Sequence, residues 1–225
     1  FNVAMFPGAA HRERQTTMAF SLPSPHRQLA AALWLASSAL AATANPLLQE
    51  SALAYNYPRF DQIKDEHFAP AFALGMAEQL KEVDAIARSA EPPTFANTIV
   101  AIERAGVLFG RVQRLFSNLT SAHSNDTLRA VEKELAPKLA AHTDAIRLNA
   151  PLFARIDALH TRRDALGLDA ESKRLLERYH KDFVRAGARL SESDKTRLRA
   201  LNTELADLNT TFTQNVLKEV NAAAV

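Results

Sequence analysis

Near the C-terminal end of the chain, Leu198, Leu201, Leu205, Leu208 and Phe212 recur at alternating steps of three and four. An α-helix lines such positions up as one narrow apolar seam, and a seam of that kind calls for a partner. Just upstream, Leu176, Tyr179, Phe183 and Ala186 form a second stripe at helical spacing, with Gly187 as a stop and Ser191 as a restart. Ser191 and Asp194 resemble a capping box in which Asp replaces the usual Glu or Gln. Together the two stripes predict a helical hairpin.

Similar stripes recur upstream. Phe68, Phe72, Met76, Leu80, Val83 and Ala87 predict a helix with Pro70 near its start, where a missing N–H matters least. Pro92-Pro93 must break the chain, and Thr94 or Asn97 can cap a helix carrying Ile99, Ile102, Leu108 or Phe109, Val112, Leu115 or Phe116 and Leu119. Ser124-Asn125-Asp126 reads as a turn and cap before Leu128, Val131, Leu135 and Leu139, where Pro137 is expected to kink or split the helix. Asn149-Ala150-Pro151 restarts the chain, and Phe153, Ile156, Leu159 and Leu166 share a face up to Gly167. Residues 45–61, with Pro46, Pro58 and Tyr55-Asn56-Tyr57, lack a repeat and read as an extended lead-in.

Composition agrees with an all-α fold of amphipathic helices and helical hairpins. Six glycines and few β-branched runs leave little room for a sheet, and 47% hydrophobic residues in 225 suffice for a core. The 27 basic and 25 acidic side chains nearly balance, for a net charge of +2, so nothing suggests a nucleic-acid partner. The chain has no cysteine, which excludes disulfides, cysteine nucleophiles and thiolate metal sites.

The N-terminal part has a different character. Residues 1–17 show no periodic apolar pattern and are set aside as an upstream extension. From Met18, His26 and Arg27 precede an apolar run from Leu29 to Ala42, and Ala42-Thr43-Ala44 matches a small-x-small cleavage pattern. Residues 18–44 therefore read as a secretory signal peptide cleaved near Ala44, with Asn45 as the mature start and a periplasmic or secreted destination. The apolar run, about 14 residues, is shorter than the roughly 20 that span a bilayer as a helix, so no stable membrane anchor is expected.

The letters go further than their periodicity. The run LERYHKDFVRAGARLSESDKTRLRALNTELADLNTTFTQNVL, Leu176 to Leu217, resembles the N-terminal helical region of the zinc oligopeptidase family that includes peptidyl-dipeptidase Dcp, oligopeptidase A and thimet oligopeptidase. The segments FDQIKDEHFAPAFALGMAEQ, EPPTFANTIVAIERAG, APKLAAHTDAI and LFARIDALHTRRDALGLDAE extend the likeness to nearly everything from Phe60 onward, with the peptidyl-dipeptidase branch nearest. The resemblance implies a zinc metallopeptidase that releases dipeptides from the C-terminus of short peptides, and with the signal pattern of residues 18–44 the expectation is an exported, monomeric enzyme. In such enzymes the N-terminal helices form one wall of a deep channel.

The chemistry of that family is missing from these residues. Its metal is held by H-E-x-x-H, two histidines one helical turn apart with a Glu that activates water. No two of His11, His26, His67, His123, His142, His160 and His180 stand four apart. The nearest imitations are Glu66-His67, His160 with Asp164, and His180 with Asp182, each a single His beside one acid. No catalytic, cofactor-binding or metal-ligating residue is therefore assigned in this chain, and no position matches a catalytic residue of the family. Helical letters run on to Val225 without a cap, so residues 45–225 are expected to be an N-terminal helical domain cut before its catalytic domain. On that expectation the zinc belongs to the full-length parent, and this part alone binds none and is inactive. Two other readings compete: an oligopeptidase A or thimet-like endopeptidase, and a non-enzymatic helical interaction module that uses the Leu198–Phe212 seam.

Overall fold

The fold is organised around α1, Phe68–Ala87, whose two halves are buried in two different apolar cores. These features belong to a computed structural model that describes residues 45–223; the segment expected to be a signal peptide lies outside the described residues. Every regular element among the described residues is helical, as the stripes predict. After α1 come a π turn, Ala96–Val100, continuing into the short α2, Ala101–Arg104, and then α3, Val107–Ala122, and α4, Asp126–Arg147. The remaining helices are α5, Ala150–Thr161, α6, Ala170–Arg185, and α7, Glu192–Ala223.

The first half of α1 places Phe68, Ala71 and Phe72 against Val112, Leu115 and Phe116 of α3 and Leu128 and Leu135 of α4. Phe116 sits between Phe68 and Phe72, with ring centroids 5.1 and 5.4 Å away and tilted or edge-on, the arrangement that aromatic quadrupoles favour. The second half places Val83 and Ala87 against Leu152, Ile156 and Leu159 of α5 and Leu176 and Phe183 of α6. At the crossing with α3, a Cβ on Gly75 would lie 2.9 Å from the Cα of Phe109, so the two backbones approach as closely as a glycine permits.

Polar groups on α1 fill the gap between the two cores. Gln79 meets His142 of α4, and the Glu82 carboxylate accepts the backbone N–H of Gly106 at 2.7 Å. Gly106 has φ +75°, and a Cβ there would run into the Gln79 side chain, so the corner between α2 and α3 needs glycine on both counts. Tyr179 of α6 donates its hydroxyl to Glu103 of α2 at 2.6 Å, and burial together with that carboxylate pushes its pKa well up.

Most expected corners are built by the residues that predict them. Asn125, Asn149 and Asp169 each accept the N–H three residues on, at 2.8, 2.9 and 2.8 Å, capping α4, α5 and α6. Gly187, at φ +99°, closes α6 with paired bonds from Gly187 N to Val184 O and from Ala188 N to Phe183 O, a Schellman motif. Thr94 and Asn97 cap reciprocally, Asn97 N donating to Thr94 Oγ1 and Thr94 N to Asn97 Oδ1. The Pro92-Pro93 loop is tied down from α5: the buried Arg155 donates to Ser89 O, Glu91 O and Asn97 Oδ1, and Arg162 donates to Pro93 O.

Of the two outcomes expected at Pro137, the split does not occur: α4 runs from Asp126 to Arg147 through it, and the carbonyl left without its helical donor belongs to Lys133, an exposed residue. One expectation changes. The lead-in is less extended than expected. Asn45 caps a 3-10 turn, Pro46–Leu48, that buries Leu47 in the first core, and Arg111 of α3 holds the Leu47 carbonyl at 3.1 Å.

The Gly75 crossing yields a test. Gly75→Ala is expected to lower unfolding stability by about 2 kcal/mol, because the new methyl meets backbone that cannot move aside. Gly110→Ala, whose Cβ meets only the mobile end of Arg114 at 3.2 Å, should be neutral or gain up to ~1 kcal/mol of helix propensity. Urea unfolding of the two variants separates the cases, and equal effects would contradict the close crossing.

Candidate functional site

Each histidine singled out in the sequence finds a partner other than its sequence neighbour. His67 uses Nδ1 to accept the N–H of Lys64 at 3.1 Å, a capping contact ahead of α1. Asp164 pairs with Lys173 at 2.5 Å, and Asp182 lies 3.7 Å from Arg178. His160 instead stacks face to face on His180, with centroids 3.8 Å apart and planes within 4°. His180 Nε2 contacts Asp157 Oδ1 at 2.9 Å, and Arg189 reaches the same oxygen at 3.1 Å while lying over Phe153. The hydrogen bond from His180 holds the Asp157 carboxyl below its ordinary range, and burial lowers the His160 pKa, with the charge on His180 adding to the effect.

This cluster is a junction between α5, α6 and the segment before α7. Parallel stacked imidazoles do not turn their nitrogens toward one point, as a tetrahedral metal would require. Among the described residues no group of three His, Asp or Glu side chains converges on a common point. His11 and His26 lie outside the described residues, and His123 is an exposed residue at the end of α3.

His142, which the sequence reading did not single out, is the buried histidine. Its Nε2 is 2.7 Å from Gln79 Oε1, and its ring leans on Phe109 with centroids 4.8 Å apart. With the proton on Nε2 for Gln79, Nδ1 is left buried without a partner. Protonating Nδ1 would bury a charge that nothing accepts, so desolvation lowers the His142 pKa. A hydrophobic-pattern search passes over such a residue because its helical face is known only once α1 is in place.

The helix carrying the leucine seam departs most from expectation. α7 does not close a hairpin on α6; it docks along α4, antiparallel to it. Asn202 donates to both carboxylate oxygens of Asp144 at 2.8 and 3.1 Å near one end, and Gln214 donates to Arg129 O at 2.9 Å near the other. Burial raises the Asp144 pKa, opposed by the Asn202 amide and the Arg199 charge. The side of α7 turned to α4 is thus polar or small, including Asn202, Ala206, Thr210 and Gln214. The seam itself is divided. Leu198 packs into the Gly187 corner, within 2.9 Å of where a Cβ on that glycine would stand. Leu201, Leu205, Leu208 and Phe212 face outward and are 52 to 68% exposed. The Asn202 amide and the Arg199 charge both offset the burial of Asp144, so the polar contact marks where along α4 the helix sits.

Beside the stripe, α4 and α7 enclose an open groove of about 390 Å³ lined by Ala136, Leu139, Ala140, Leu205 and Ala206, with Asp144 and Asn202 at one end. Thr143 and Asn209 complete the lining of this groove.

No family model matches the chain. It is similar, however, to the dipeptidyl carboxypeptidase of Salmonella typhimurium, 45% identical over 181 residues that make up 80% of this chain and 27% of that protein. The dipeptidyl carboxypeptidase of Escherichia coli is 46% identical over 175 residues, 78% of this chain and 26% of that protein. Oligopeptidase A of Salmonella typhimurium is 24% identical over 173 residues, 77% of this chain and 25% of that protein. The chain spans about a quarter of the length of these relatives, in their N-terminal part.

Two measurements test this geometry. Asn202→Ala strips the buried Asp144 of its amide partner and should cost about 2 kcal/mol, read as faster hydrogen exchange in α7 with α1 unchanged. An unaltered α7 would show that the Asp144 contact does not hold the helix. The second is a pH profile. The folded pKa of His142 lies below the ordinary 6.5, so the unfolded chain binds more protons as pH falls through that value. The stability present above about pH 6.5 is lost toward acid, and the thermal midpoint should drop between pH 7.5 and pH 5.5 (about one unit either side of that value). His142→Gln should flatten the drop, His160 supplying what remains; an unchanged slope would place the titration elsewhere.

Proposed function

Belonging to the family of the dipeptidyl carboxypeptidases and oligopeptidase A, the chain is, we propose, the N-terminal helical region of an exported zinc peptidyl-dipeptidase. The observation that carries the choice of branch is the gap in identity, 45 and 46% to the dipeptidyl carboxypeptidases against 24% to oligopeptidase A over almost the same stretch. An oligopeptidase A or thimet-like endopeptidase would share the helices but is disfavoured by that gap.

In this reading the helices act sterically. A wall built on two closely packed cores holds its shape, and a narrow channel beside it admits an extended peptide while excluding folded proteins. The bond broken then depends on how the C-terminal end of the peptide is seated, and here it is a dipeptide that leaves. The zinc that the family resemblance implies does not fit the described residues, which bring no three ligands together and carry no H-E-x-x-H. The metal and the activation of water are therefore assigned to the rest of the parent protein, and no reaction step is derived through the side chains of this chain.

Export is supported by the three-part pattern of residues 18–44, with its small-x-small site at Ala42-Thr43-Ala44. No helix among the described residues is long and apolar enough to cross a membrane. The competing reading, a free-standing helical interaction module, draws on the exposed ridge of α7. The family relationship argues against it, because it covers 80% of the chain, α7 included in the resembling run.

The test compares two proteins. The full-length parent is expected to release C-terminal dipeptides from short peptides, to stop when treated with a zinc chelator, and to recover when zinc is restored. The 225-residue chain alone should release none. Dipeptide release by the short chain, or none by the metal-loaded parent, would overturn this reading.

A further inference from the structure

The junction between α5 and α6 brings two titratable rings into contact. His160 and His180 are half-buried and stack with centroids 3.8 Å apart and planes within 4°. His180 also meets Phe153, a member of the core that holds Val83, at 5.7 Å. The charges that face this stack already pair off without it. On α5, Asp157 Oδ1 contacts His180 Nε2 at 2.9 Å and accepts from Arg189 Nη2 at 3.1 Å, Arg189 coming from the segment before α7. Arg163, just after α5, donates to His160 O and lies 3.5 Å from the Glu177 carboxylate of α6. Asp164 is taken by Lys173. Two arginines thus face two acids, and among the described residues no acid accepts a hydrogen bond from the His160 ring.

Each proton that the stack gains is therefore surplus charge. One is accommodated, because Asp157 can serve a charged His180 and Arg189 together. A second sets two cations ring on ring between Arg163 and Arg189, at a distance where like charges oppose each other's protonation. Asp157 stands three residues before His160 on the same helix, within reach of it, so a charged His160 competes for that carboxylate. We propose that the stack is an acid-sensitive latch: on gaining its second proton the rings part, Asp157 turns to His160 on its own helix, and the ties from His180 and Arg189 to α5 are cut.

The sign follows from the two states. Burial lowers the His160 pKa in the closed stack, and the charges on His180 and Arg163 add to this against the opposing effect of Asp157 and Glu177. With the rings apart His160 binds its proton more readily, so the open form takes up more protons and gains as pH falls. The latch is closed above about pH 6.5, the ordinary histidine value, and weakens below it. Its release reaches the corner Gly187–Ser191, which leads directly into the first turn of α7.

The experiment follows the full-length parent by hydrogen exchange, corrected for the intrinsic effect of pH, from about pH 7.5 down to about pH 5. Backbone protection of the Gly187–Ser191 corner should fall at least about tenfold toward acid. His160→Phe keeps a flat ring against His180 but takes no proton, and should hold the corner closed throughout. His142→Gln, at the buried histidine elsewhere, should leave the loss in place. In the unsubstituted protein, exchange of the His160 Cε1 hydrogen reports the protonation of that ring, and its midpoint should coincide with that of the corner. A corner equally protected across the range, or a loss that persists in His160→Phe, overturns the proposal. So does a separation of the two midpoints by more than about one pH unit, a tenfold change in proton concentration. Should His160→Phe not fold, the midpoint comparison decides alone. No readout here uses peptidase activity, so a parent without it would defeat the functional reading and leave the latch to these measurements.

Discussion

The structure depends on one helix being shared. α1 gives Phe68 and Phe72 to one apolar core and Val83 and Ala87 to another, so neither core is complete without it. Sharing is possible because α1 changes character midway, where Gln79 and Glu82 replace apolar packing with directed hydrogen bonds to His142 and Gly106. It also requires Gly75, since a methyl there would hold α3 away and loosen the Phe109 and Phe116 contacts. Each feature limits the others: the close crossing fixes α3, the glycine corner fixes where α3 begins, and the buried histidine fixes α4.

Around this frame the last helix is attached by a different kind of force. α7 is held to α4 through a buried carboxylate and amides, and its most apolar face is turned outward. Amide-to-carboxylate contacts are directional, so they set the register of the helix without consuming apolar surface.

The histidines illustrate how chemistry read from neighbouring letters can mislead. His160 with Asp164 and His180 with Asp182 look like pairs because each acid lies a few residues away. In the fold both histidines leave those acids and stack on each other, and Asp157 takes His180. Asp157 is three residues before His160 on the same helix, yet its partner is on the next one. A stacked pair with one shared carboxylate is a packing device at the α5–α6 junction.

Short-range features could be read from the letters alone. Helical stripes, the turns at Asn125 and Asn149 and the stop at Gly187 were legible because each depends on residues within one or two turns, whereas the Asp169 cap of α6 was passed over. The family likeness was legible in runs of letters for the same reason. Only the tertiary structure decided which faces meet. The leucine seam predicted a hairpin with α6, but α7 pairs with α4, where Asn202 meets Asp144 at a separation of 58 residues. Between the two outcomes that Pro137 left open, a split is the one that does not occur. Periodicity tells which side of a helix is apolar, but the choice between core and interface is made by long-range contacts between residues tens of positions apart.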